Sequence, residues 1–232
     1  MQNKVLLAIS AHPDDIEFSC GGTMFKFAEQ GYDIYFVVAT NGENGFKIDH
    51  KPKSLRIKTR HNEQLAAARL LGVKKVFFLN YRDCLLPNDD RLRVKLAKII
   101  KKVKPGIVFT FDPANRSFES VNLLHRDHRA ISEASFDAVF AARNRYLLPG
   151  EPHTVKQFWF FGPDKPNHYE NITKYIGKKI SLIEKHHSQF SDHKSMSDWV
   201  KSHLSSYTKK YKYSEKFRIV DITVPFVREG KK

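Results

Sequence analysis

The sequence predicts an α/β fold in which helices flank a mostly parallel β-sheet. Short apolar segments of strand length alternate with longer segments of helical periodicity, which is the pattern of βαβ units. Hydrophobic residues make up 41% of the 232 residues, enough to bury a sizeable core. We expect one domain over residues 1–232, with smaller helical and strand additions at its C-terminal end.

Four strands are predicted in the first half of the chain, with helices between them. Aliphatic and β-branched runs place these strands at 5–10, 34–39, 76–79 and 107–111. Helical periodicity places the connecting helices at 22–30, 59–71 and 91–103. The first is expected to begin at Gly22 after a turn, while Gly72 and Pro105 are typical helix stops.

The second half of the chain continues the alternation with shorter elements. Helices are predicted at 129–143, 171–188 and 195–210. Strands are predicted at 158–161 and 217–223. These later elements are the source of the expected C-terminal additions to the sheet.

Two segments rich in His and Asp follow predicted strands directly. The segment from His12 to Asp15 comes after the strand that ends at Ser10, and the segment from His125 to His128 comes after the strand that ends at 111. Ligands of parallel sheets lie beyond the carboxyl ends of the strands, so both segments are expected on the same edge. Residues 112–124 form a long polar loop of the kind that often carries function.

Imidazole and carboxylate groups are the usual ligands of a catalytic zinc ion, which takes three protein ligands and leaves a fourth position for water. A short loop can supply two ligands and a distant segment the third. Each cluster alone is explained equally well by helix caps and turns. Both together, on the same predicted edge, favour a metal-dependent hydrolase.

The same residues resemble the motifs of the LmbE-like or PIG-L family of zinc-dependent N-deacetylases. The most specific element is Ala-His-Pro-Asp-Asp-Ile-Glu at 11–17, and the resemblance extends in order over nearly the whole chain. The other matching segments are 21–23, 40–45, 60–63, 125–128 and 185–189. The resemblance implies a Rossmann-like α/β fold and hydrolysis of the acetamide of an N-acetylglucosamine unit, with release of acetate and a free amine.

The resemblance also implies a role for each residue of the two segments. The implied zinc ligands are His12, Asp15 and His128, and other divalent metals stay open. Asp14 would be the general base that takes a proton from water. His125 would stabilise the oxyanion as a cationic side chain, oriented by Asp127.

Substrate contacts are expected from residues outside these two segments. Arg60 would lie near the sugar or a phosphate substituent, and Asn41 and Glu43 would line the sugar pocket, although turn chemistry explains the latter loop equally well. Some family members have a tyrosine where this chain has Leu123, and proline is usual where it has Arg126. Arg126 either favours an anionic substrate or faces solvent.

The net charge of +15 raises the question of nucleic-acid binding. Basic residues are interspersed with acidic ones and no aromatic-basic RNA motif occurs, so a lysine-rich surface is favoured and nucleic acid is not an expected partner. Cys20 and Cys84 are far apart in the sequence and show no C-x-x-C spacing. This predicts a reducing, cytoplasmic location and no disulfide scaffold. No transmembrane segment is expected, the substrate is expected to be a small molecule or glycoconjugate, and homo-oligomerisation is left open.

Two rival interpretations follow from the same residues. Two histidines and one carboxylate also suit a non-haem iron enzyme. A carbohydrate- or nucleic-acid-binding module with a structural metal site is the other rival. Asp14 argues against this second rival, because a carboxylate beside the ligands but not among them is what hydrolysis requires.

Overall fold

Seven strands form one sheet in the computed structural model, which describes residues 3–45, 52–118 and 124–222. The strands are β1 Val5–Ser10, β2 Asp33–Thr40, β3 Lys75–Tyr81, β4 Ile107–Phe111, β5 Gln157–Phe161, β6 His168–Asn171 and β7 Ser214–Asp221. The helices are α1 Asp15–Glu29, α2 Lys53–Leu71, α3 Asp90–Val103, α4 Arg126–Arg143, α5 Ile176–Ile183 and α6 His193–Ser205. None of the helices in these ranges is both long and apolar enough to cross a membrane.

The strand order β3-β2-β1-β4-β5-β7-β6 confirms the predicted fold class. The first five strands in this order are parallel, and β7 pairs antiparallel with both β5 and β6. After β3 the chain crosses to the other side of β1 to form β4. The strand order therefore reverses between β1 and β4, and the crevice at such a reversal is where doubly wound sheets bind their ligands.

The buried residues of β1 and β4 explain why both strands lie in the centre of the sheet. Residues 6–10 and 107–111 are all buried, as expected for strands that are covered by helices on both faces. Register pairs Leu6 with Ile107, so the two strands end close together at the same edge of the sheet. The loops that follow Ser10 and Phe111 therefore meet at this edge, as predicted.

Helix α1 begins at Asp15, seven residues before the predicted start at Gly22. The two glycines at 21 and 22 lie inside the helix and do not form a turn before it. A Cβ on Gly22 would approach the side chain of Ile172 to 2.8 Å, so glycine is needed here for close packing. The helix is nevertheless interrupted at Cys20, whose φ of −144° and ψ of 18° are not helical.

A buried ion pair satisfies the polar groups that this interruption exposes. Lys179 Nζ donates to the carbonyl oxygens of Glu17, at 3.1 Å, and Phe18, at 2.5 Å, which end the first half of α1. It also lies 2.6 Å from Glu215 Oε1. Carbonyl groups at a helix end attract a cation, so the lysine takes the place of the missing helical bonds.

The carboxylate of Glu215 performs the matching task for the second half of α1. It accepts from the backbone N–H of Gly22, at 2.9 Å, from that of Thr23, at 2.7 Å, and from the Thr23 hydroxyl. Lys179 and Glu215 are 1% and 0% exposed, so this pair depends on these bonds to offset its loss of hydration. We call Lys179 and Glu215 the helix clamp.

Replacing Lys179 with Met is expected to lower the free energy of unfolding by about 3–5 kcal/mol, because Glu215 would remain buried without its partner. Denaturant unfolding measures this change. Lys178→Met is the matched control on the same helix, since Lys178 is 52% exposed and its pair with Glu29 is accessible to solvent. Equal stability of the two variants would contradict the role given to the clamp.

The C-terminal elements differ most from the prediction. Strand β6 was not predicted, and helix α5 ends at Ile183, before the predicted end at 188, with a short 3₁₀ turn at His187–Gln189. Strand β7 begins three residues earlier than predicted, and residue 223 lies outside the described residues. β6 has the polar sequence His-Tyr-Glu-Asn and lies at the edge of the sheet, where apolar alternation is not required.

Candidate metal centre

The loop after β1 is shaped by the side chain of Asp15. Asp15 Oδ2 accepts hydrogen bonds from the backbone N–H of Ala11, at 3.1 Å, and of His12, at 2.7 Å. Asp14 precedes α1 with a φ of 99°, a left-handed conformation that is rare outside glycine. This reversal turns the Asp14 and Asp15 side chains in different directions from adjacent positions.

The second segment is placed by β4 and by the start of α4. His125 lies at the N-cap of α4, where its Nδ1 accepts from the backbone N–H of Asp127 at 3.2 Å. The ring of His128 stacks on that of Phe111, the last residue of β4, with centroids 3.9 Å apart and planes 15° apart. The stack directs the His128 ring toward the loop after β1.

Three predicted ligands converge between these two segments. His12 Nδ1 lies 3.2 Å from His128 Nε2 and 3.6 Å from Asp15 Oδ2, and His128 Nε2 lies 3.3 Å from Asp15 Oδ1. Donors bonded at 2.0–2.2 Å to one tetrahedral ion lie roughly 3.3–3.6 Å apart. The three side chains therefore fit a divalent ion in tetrahedral geometry.

The remaining nitrogen of His12 faces two carboxylates. His12 Nε2 lies 3.1 Å from Asp83 Oδ1 and 3.3 Å from Asp127 Oδ2. A metal-binding histidine usually donates its second N–H to a carboxylate, which fixes the tautomer and the ring orientation. This arrangement leaves Nδ1 of His12 as the atom that could bind an ion. Two other sets of potential ligand atoms each lie within 4.8 Å of one another. One set combines His12 with His125 and His128, and the other combines His12 with Asp83 and Asp127.

Asp127 makes contacts that differ from those expected. Its carboxylate accepts from the backbone N–H of Cys84 at 2.8 Å and of Leu86 at 3.1 Å, in addition to its contact with His12. Its hydrogen bond to His125 is made by the backbone N–H and not by the carboxylate. The carboxylate of Asp127 thus supports His12 and residues 84–86, while the backbone orients His125.

The carboxylates around His12 have lowered pKa values, and the pKa of His12 is itself raised well above its usual value by hydrogen bonds to Asp127 and Asp15, against the effect of burial. Burial works to raise the pKa of Asp15, but His128 and His12 hold this pKa well below its usual range. Although burial opposes the change, His12 also lowers the pKa of Asp83 to about 2. Asp127 has its pKa lowered against the effect of burial by the hydrogen bond from His12. Three ionised carboxylates close together give the centre an attraction for a cation.

Asp14 lies beside the three candidate ligands and is held by Arg60 and Gln64. Arg60 Nη2 lies 3.2 Å from Asp14 Oδ2 and also donates to the carbonyl oxygen of Pro13. The backbone N–H of Asp14 donates to Gln64 Oε1 at 3.1 Å. Burial raises the pKa of Asp14, and the positive charge of Arg60 works in the opposite direction.

His186 was given no role by the sequence, yet it lies behind Asp14 in a buried chain of polar groups. It is 0% exposed, and its Nε2 lies 3.5 Å from Glu17 Oε2. Gln64 Nε2 donates to Glu17 Oε1 at 2.7 Å, which connects His186 to the residue that binds the Asp14 backbone. The matching segment 185–189 contained this histidine, but nothing in the sequence separated it from its neighbour His187.

Asp83 is the second residue that sequence analysis missed. It follows β3 at the same edge as the two predicted segments, and this placement was the available signal. Its Oδ2 accepts from the backbone N–H of Asn44 at 2.9 Å, while Oδ1 contacts His12. Asp83 therefore links the loop after β2 to the candidate metal centre.

Asn41 and Glu43 are buried next to each other and do not reach into the open space above the centre. Asn41 Nδ2 lies 3.3 Å from Glu43 Oε2, and Lys53 and Arg82 pair with the Glu43 carboxylate. From the same loop, Asn44 and Gly45 line the cavity. Leu123, where some family members have a tyrosine, lies outside the described residues. Arg126 Nη1 lies 3.5 Å from the carbonyl oxygen of Cys84.

An open cavity of about 660 Å³ lies above the candidate metal centre. Its polar lining contains the three candidate ligands with Asp14, Arg60, Asp83 and His125. Its apolar lining is formed by Phe18, Phe190, Met196 and Trp199. The volume lies within the range of small-molecule sites, and the polar groups converge at one end.

Three converging side chains that could hold a divalent ion, with a separate carboxylate at the carboxyl edge of a parallel sheet, are typical of a metal-dependent hydrolase. Comparison with known proteins agrees with this class. Residues 7–139 match the PIG-L family, described as GlcNAc-PI de-N-acetylase. The chain belongs to the PIG-L family, as the sequence motifs predicted.

Curated relatives and solved structures agree with this membership. The chain is 31% identical over 198 residues to diacetylchitobiose deacetylase of Thermococcus kodakarensis, covering 82% of this chain and 71% of that one. It is 25% identical over 205 residues to a probable N-acetyl-α-D-glucosaminyl L-malate deacetylase 2 of Bacillus anthracis, covering 80% and 81%. The structure of N,N'-diacetylchitobiose deacetylase from Pyrococcus horikoshii with its inhibitor MPG matches with a TM-score of 0.86 at 29% identity, covering 97% of this chain and 88% of that one.

Proposed function

We propose that the protein is a zinc-dependent N-deacetylase. It hydrolyses the acetamide of an N-acetylglucosamine unit in a small molecule or glycoconjugate and releases acetate and a free amine. The observation that carries this proposal is the Asp14 carboxylate, which is held by Arg60 beside three convergent ligands. The relatives named above are deacetylases of such compounds, and this supports the same reaction here.

His12, Asp15 and His128 are the proposed ligands. A zinc ion held by these residues would lower the pKa of water to about 7 and would polarise the substrate carbonyl. Asp83 and Asp127 hold the His12 ring through its other nitrogen. The iron alternative uses the same ligand types, so metal analysis of the purified protein and an oxygen-consumption assay separate the two.

Asp14 is the proposed general base. It takes a proton from the attacking water as the new bond to the acetamide carbon forms, and it returns that proton to the leaving nitrogen. Arg60 keeps the Asp14 carboxylate at the cavity wall, and Gln64 keeps its backbone in the left-handed conformation. The same residue therefore serves as base and then as acid.

His125 is the proposed oxyanion donor, and the structure favours a neutral ring over the cation that the sequence analysis assumed. Its Nδ1 accepts from the backbone N–H of Asp127, so the proton of the neutral ring lies on Nε2. Burial lowers the pKa of His125, and His12 and His128 lower it further. His125 Nε2 lies 3.7 Å from Cys84 Sγ in the lining of the cavity, and a neutral N–H there would stabilise negative charge as it develops on the carbonyl oxygen.

Acetate release from a panel of substrates tests this proposal. The panel contains N-acetylglucosamine, N,N'-diacetylchitobiose, N-acetylglucosaminyl malate and N-acetylglucosaminyl inositol. The zinc-loaded protein is expected to release acetate and primary amine in equal amounts from at least one of them. A protein with stoichiometric zinc that releases no acetate from any of the four would refute the deacetylase and support a binding module.

Arg60→Ala is expected to keep zinc bound while it raises KM and lowers kcat, together by about 10–100-fold in kcat/KM. The sequence predicted an effect on substrate binding, and the bond to Asp14 adds an effect on turnover. Steady-state acetate release and zinc content measure both. The control is Arg69→Ala, which removes an exposed arginine from the same helix, and an equal loss in both variants would rule out a specific role for Arg60.

The remaining predictions concern the protein as a whole. We propose a single domain over residues 1–232 and a cytoplasmic location. Neither nucleic-acid binding nor homo-oligomerisation is needed for the proposed reaction.

A further inference from the structure

A buried histidine behind the candidate metal centre has no part in the reaction proposed above. His186 lies between α5 and the 3₁₀ turn at His187–Gln189 and is 0% exposed. Ser188 fastens this turn to α2, because its backbone N–H and its hydroxyl donate to Glu63 at 2.8 and 2.7 Å. The described residues that line the cavity do not include His186, so its imidazole can act on the reaction only through another residue.

The side chain that His186 faces is the carboxylate of Glu17. His186 Nε2 lies 3.5 Å from Glu17 Oε2, and Glu17 is 1% exposed. Within the part of the chain that the structure describes, neither this oxygen nor either ring nitrogen of His186 has a hydrogen-bond partner. A buried carboxylate is costly without a positive charge or a donor beside it, so the imidazole compensates the Glu17 carboxylate on this side.

Gln64 connects Glu17 to the proposed general base. Its Nε2 donates to Glu17 Oε1 at 2.7 Å, and its Oε1 accepts from the backbone N–H of Asp14 at 3.1 Å. If the amide were turned end for end, an oxygen would face the carboxylate and an NH₂ group would face the Asp14 N–H. Both contacts would be repulsive, so the negative charge of Glu17 decides which end of Gln64 faces Asp14.

The backbone of Asp14 needs this acceptor to keep its conformation. A φ of 99° lies in the left-handed region, which residues other than glycine rarely adopt and which persists only where surrounding contacts hold it. Arg60 holds the carboxylate of Asp14, and Gln64 holds its backbone N–H. A change in the orientation of Gln64 would therefore move the Asp14 carboxylate relative to a substrate at the metal centre.

We propose that His186 is a positioning residue for the general base and acts through Glu17 and Gln64 on the backbone of Asp14. Burial works to lower the pKa of His186, but Glu17 and Asp14 raise it above its usual value, as expected for an ion pair with a buried carboxylate. The inference rests on the proposed function for the task of Asp14. His186 itself does not touch the substrate or transfer a proton.

Two substitutions of His186 differ in whether they can reach Glu17. His186→Gln places an amide N–H close to the position of Nε2, whereas the amide of His186→Asn is one carbon shorter and does not reach the carboxylate. Both variants keep a polar side chain in the buried site. Acetate release from the panel substrate that wild type hydrolyses fastest gives kcat and KM, and metal analysis gives the zinc content.

His186→Asn is expected to lower kcat about 10–100-fold, the usual cost of losing a residue that supports an active-site group, with KM and zinc content unchanged. His186→Gln is expected to recover most of this loss. Gln64→Ala is expected to lower kcat to a similar degree. Adding it to His186→Asn is expected to cost little more, because both changes break the same chain of contacts.

His153→Asn is the matched control. His153 Nε2 bonds to the carbonyl oxygen of Pro105 at 2.7 Å, ahead of β4 and therefore at the opposite edge of the sheet from the metal centre. This substitution is expected to leave kcat unchanged. Circular dichroism establishes that each variant is folded.

Hydrogen exchange at the Asp14 amide gives a readout that does not depend on turnover. In the zinc-loaded protein, this exchange is expected to be faster in His186→Asn than in wild type and close to wild type in His186→Gln. If wild type releases no acetate but this pattern appears, the deacetylase fails and the chain of contacts from His186 to Asp14 stands.

Three other results would overturn the positioning role while the deacetylase stands. One is an active wild type whose His186→Asn variant keeps full kcat. Another is a loss of kcat that is accompanied by an equal loss of zinc. The third is an Asp14 amide that exchanges at the same rate in wild type and in both His186 variants.

Discussion

Asp14→Asn is expected to retain zinc and the native fold while kcat falls about 10²–10⁴-fold, the usual contribution of a general base. The amide keeps the shape of the side chain but does not accept the proton of the attacking water. Arg60 and Gln64 still hold the residue, because the carbonyl oxygen of the amide accepts from Arg60 and the backbone bond to Gln64 is unchanged. Zinc content and kcat are measured on the same preparation.

Asp15→Asn is the matched comparison, since it makes the same chemical change one residue away. Asp15 faces His12 and His128 and also binds the loop backbone, so its loss is expected to lower zinc affinity and activity together. The left-handed φ of Asp14 separates the directions of the two side chains. If Asp14→Asn lost its zinc and Asp15→Asn kept it, the two roles would have to be exchanged.

His128→Ala is expected to abolish stoichiometric zinc binding and, with it, deacetylation. Loss of a residue that only supports a ligand costs roughly 10–100-fold in metal affinity, and loss of a ligand costs more. The remaining two ligands come from one loop and span only one side of the ion. Zinc is measured after dialysis against a chelator, with circular dichroism to establish the fold.

The control for His128→Ala is His168→Ala. His168 lies on edge strand β6 and bonds to Glu170, so its removal is expected to leave zinc content unchanged. Full zinc occupancy in the His128→Ala variant would show that His128 is not a zinc ligand. His125 would then be the next residue to examine, because it belongs to the set of three histidines whose ligand atoms lie close together.

The central strands and the two metal-binding segments were predictable because each is a local signal. Buried apolar runs at 5–10 and 107–111 are followed at once by polar residues, and the structure has strands with these same bounds. A strand that ends at a buried edge must release its chain into a loop there. The His and Asp residues of that loop therefore reach the edge without any knowledge of distant contacts.

The start of α1 and the roles of Asp83 and His186 depend on distant contacts that no local pattern contains. In the sequence, Gly22 suggested a turn. Its need for a close approach to Ile172 is visible only in the folded chain. Asp83 reaches His12, and His186 reaches Glu17, across separations that the sequence does not reveal. A polar residue in a loop and a polar residue in a buried network look the same in one sequence.

The helix clamp affects when helix α1 is completed during synthesis. Glu215 binds the backbone of Gly22 across a separation of 193 residues, so α1 is not completed until strand β7 has emerged. A nascent chain that ends before Glu215 already contains every proposed zinc ligand. In that chain the second half of α1 lacks its acceptor, and Lys179 has no anionic partner at this position.

Contacts of such long range form late, because closing a long loop has an entropic cost before the contact forms. The loop that carries His12 and Asp15 is shaped by the local hydrogen bonds of Asp15, whereas the second half of α1 behind it receives its acceptor only near the end of synthesis. A ribosome thus delivers the proposed metal ligands well before the residue that completes the helix behind them.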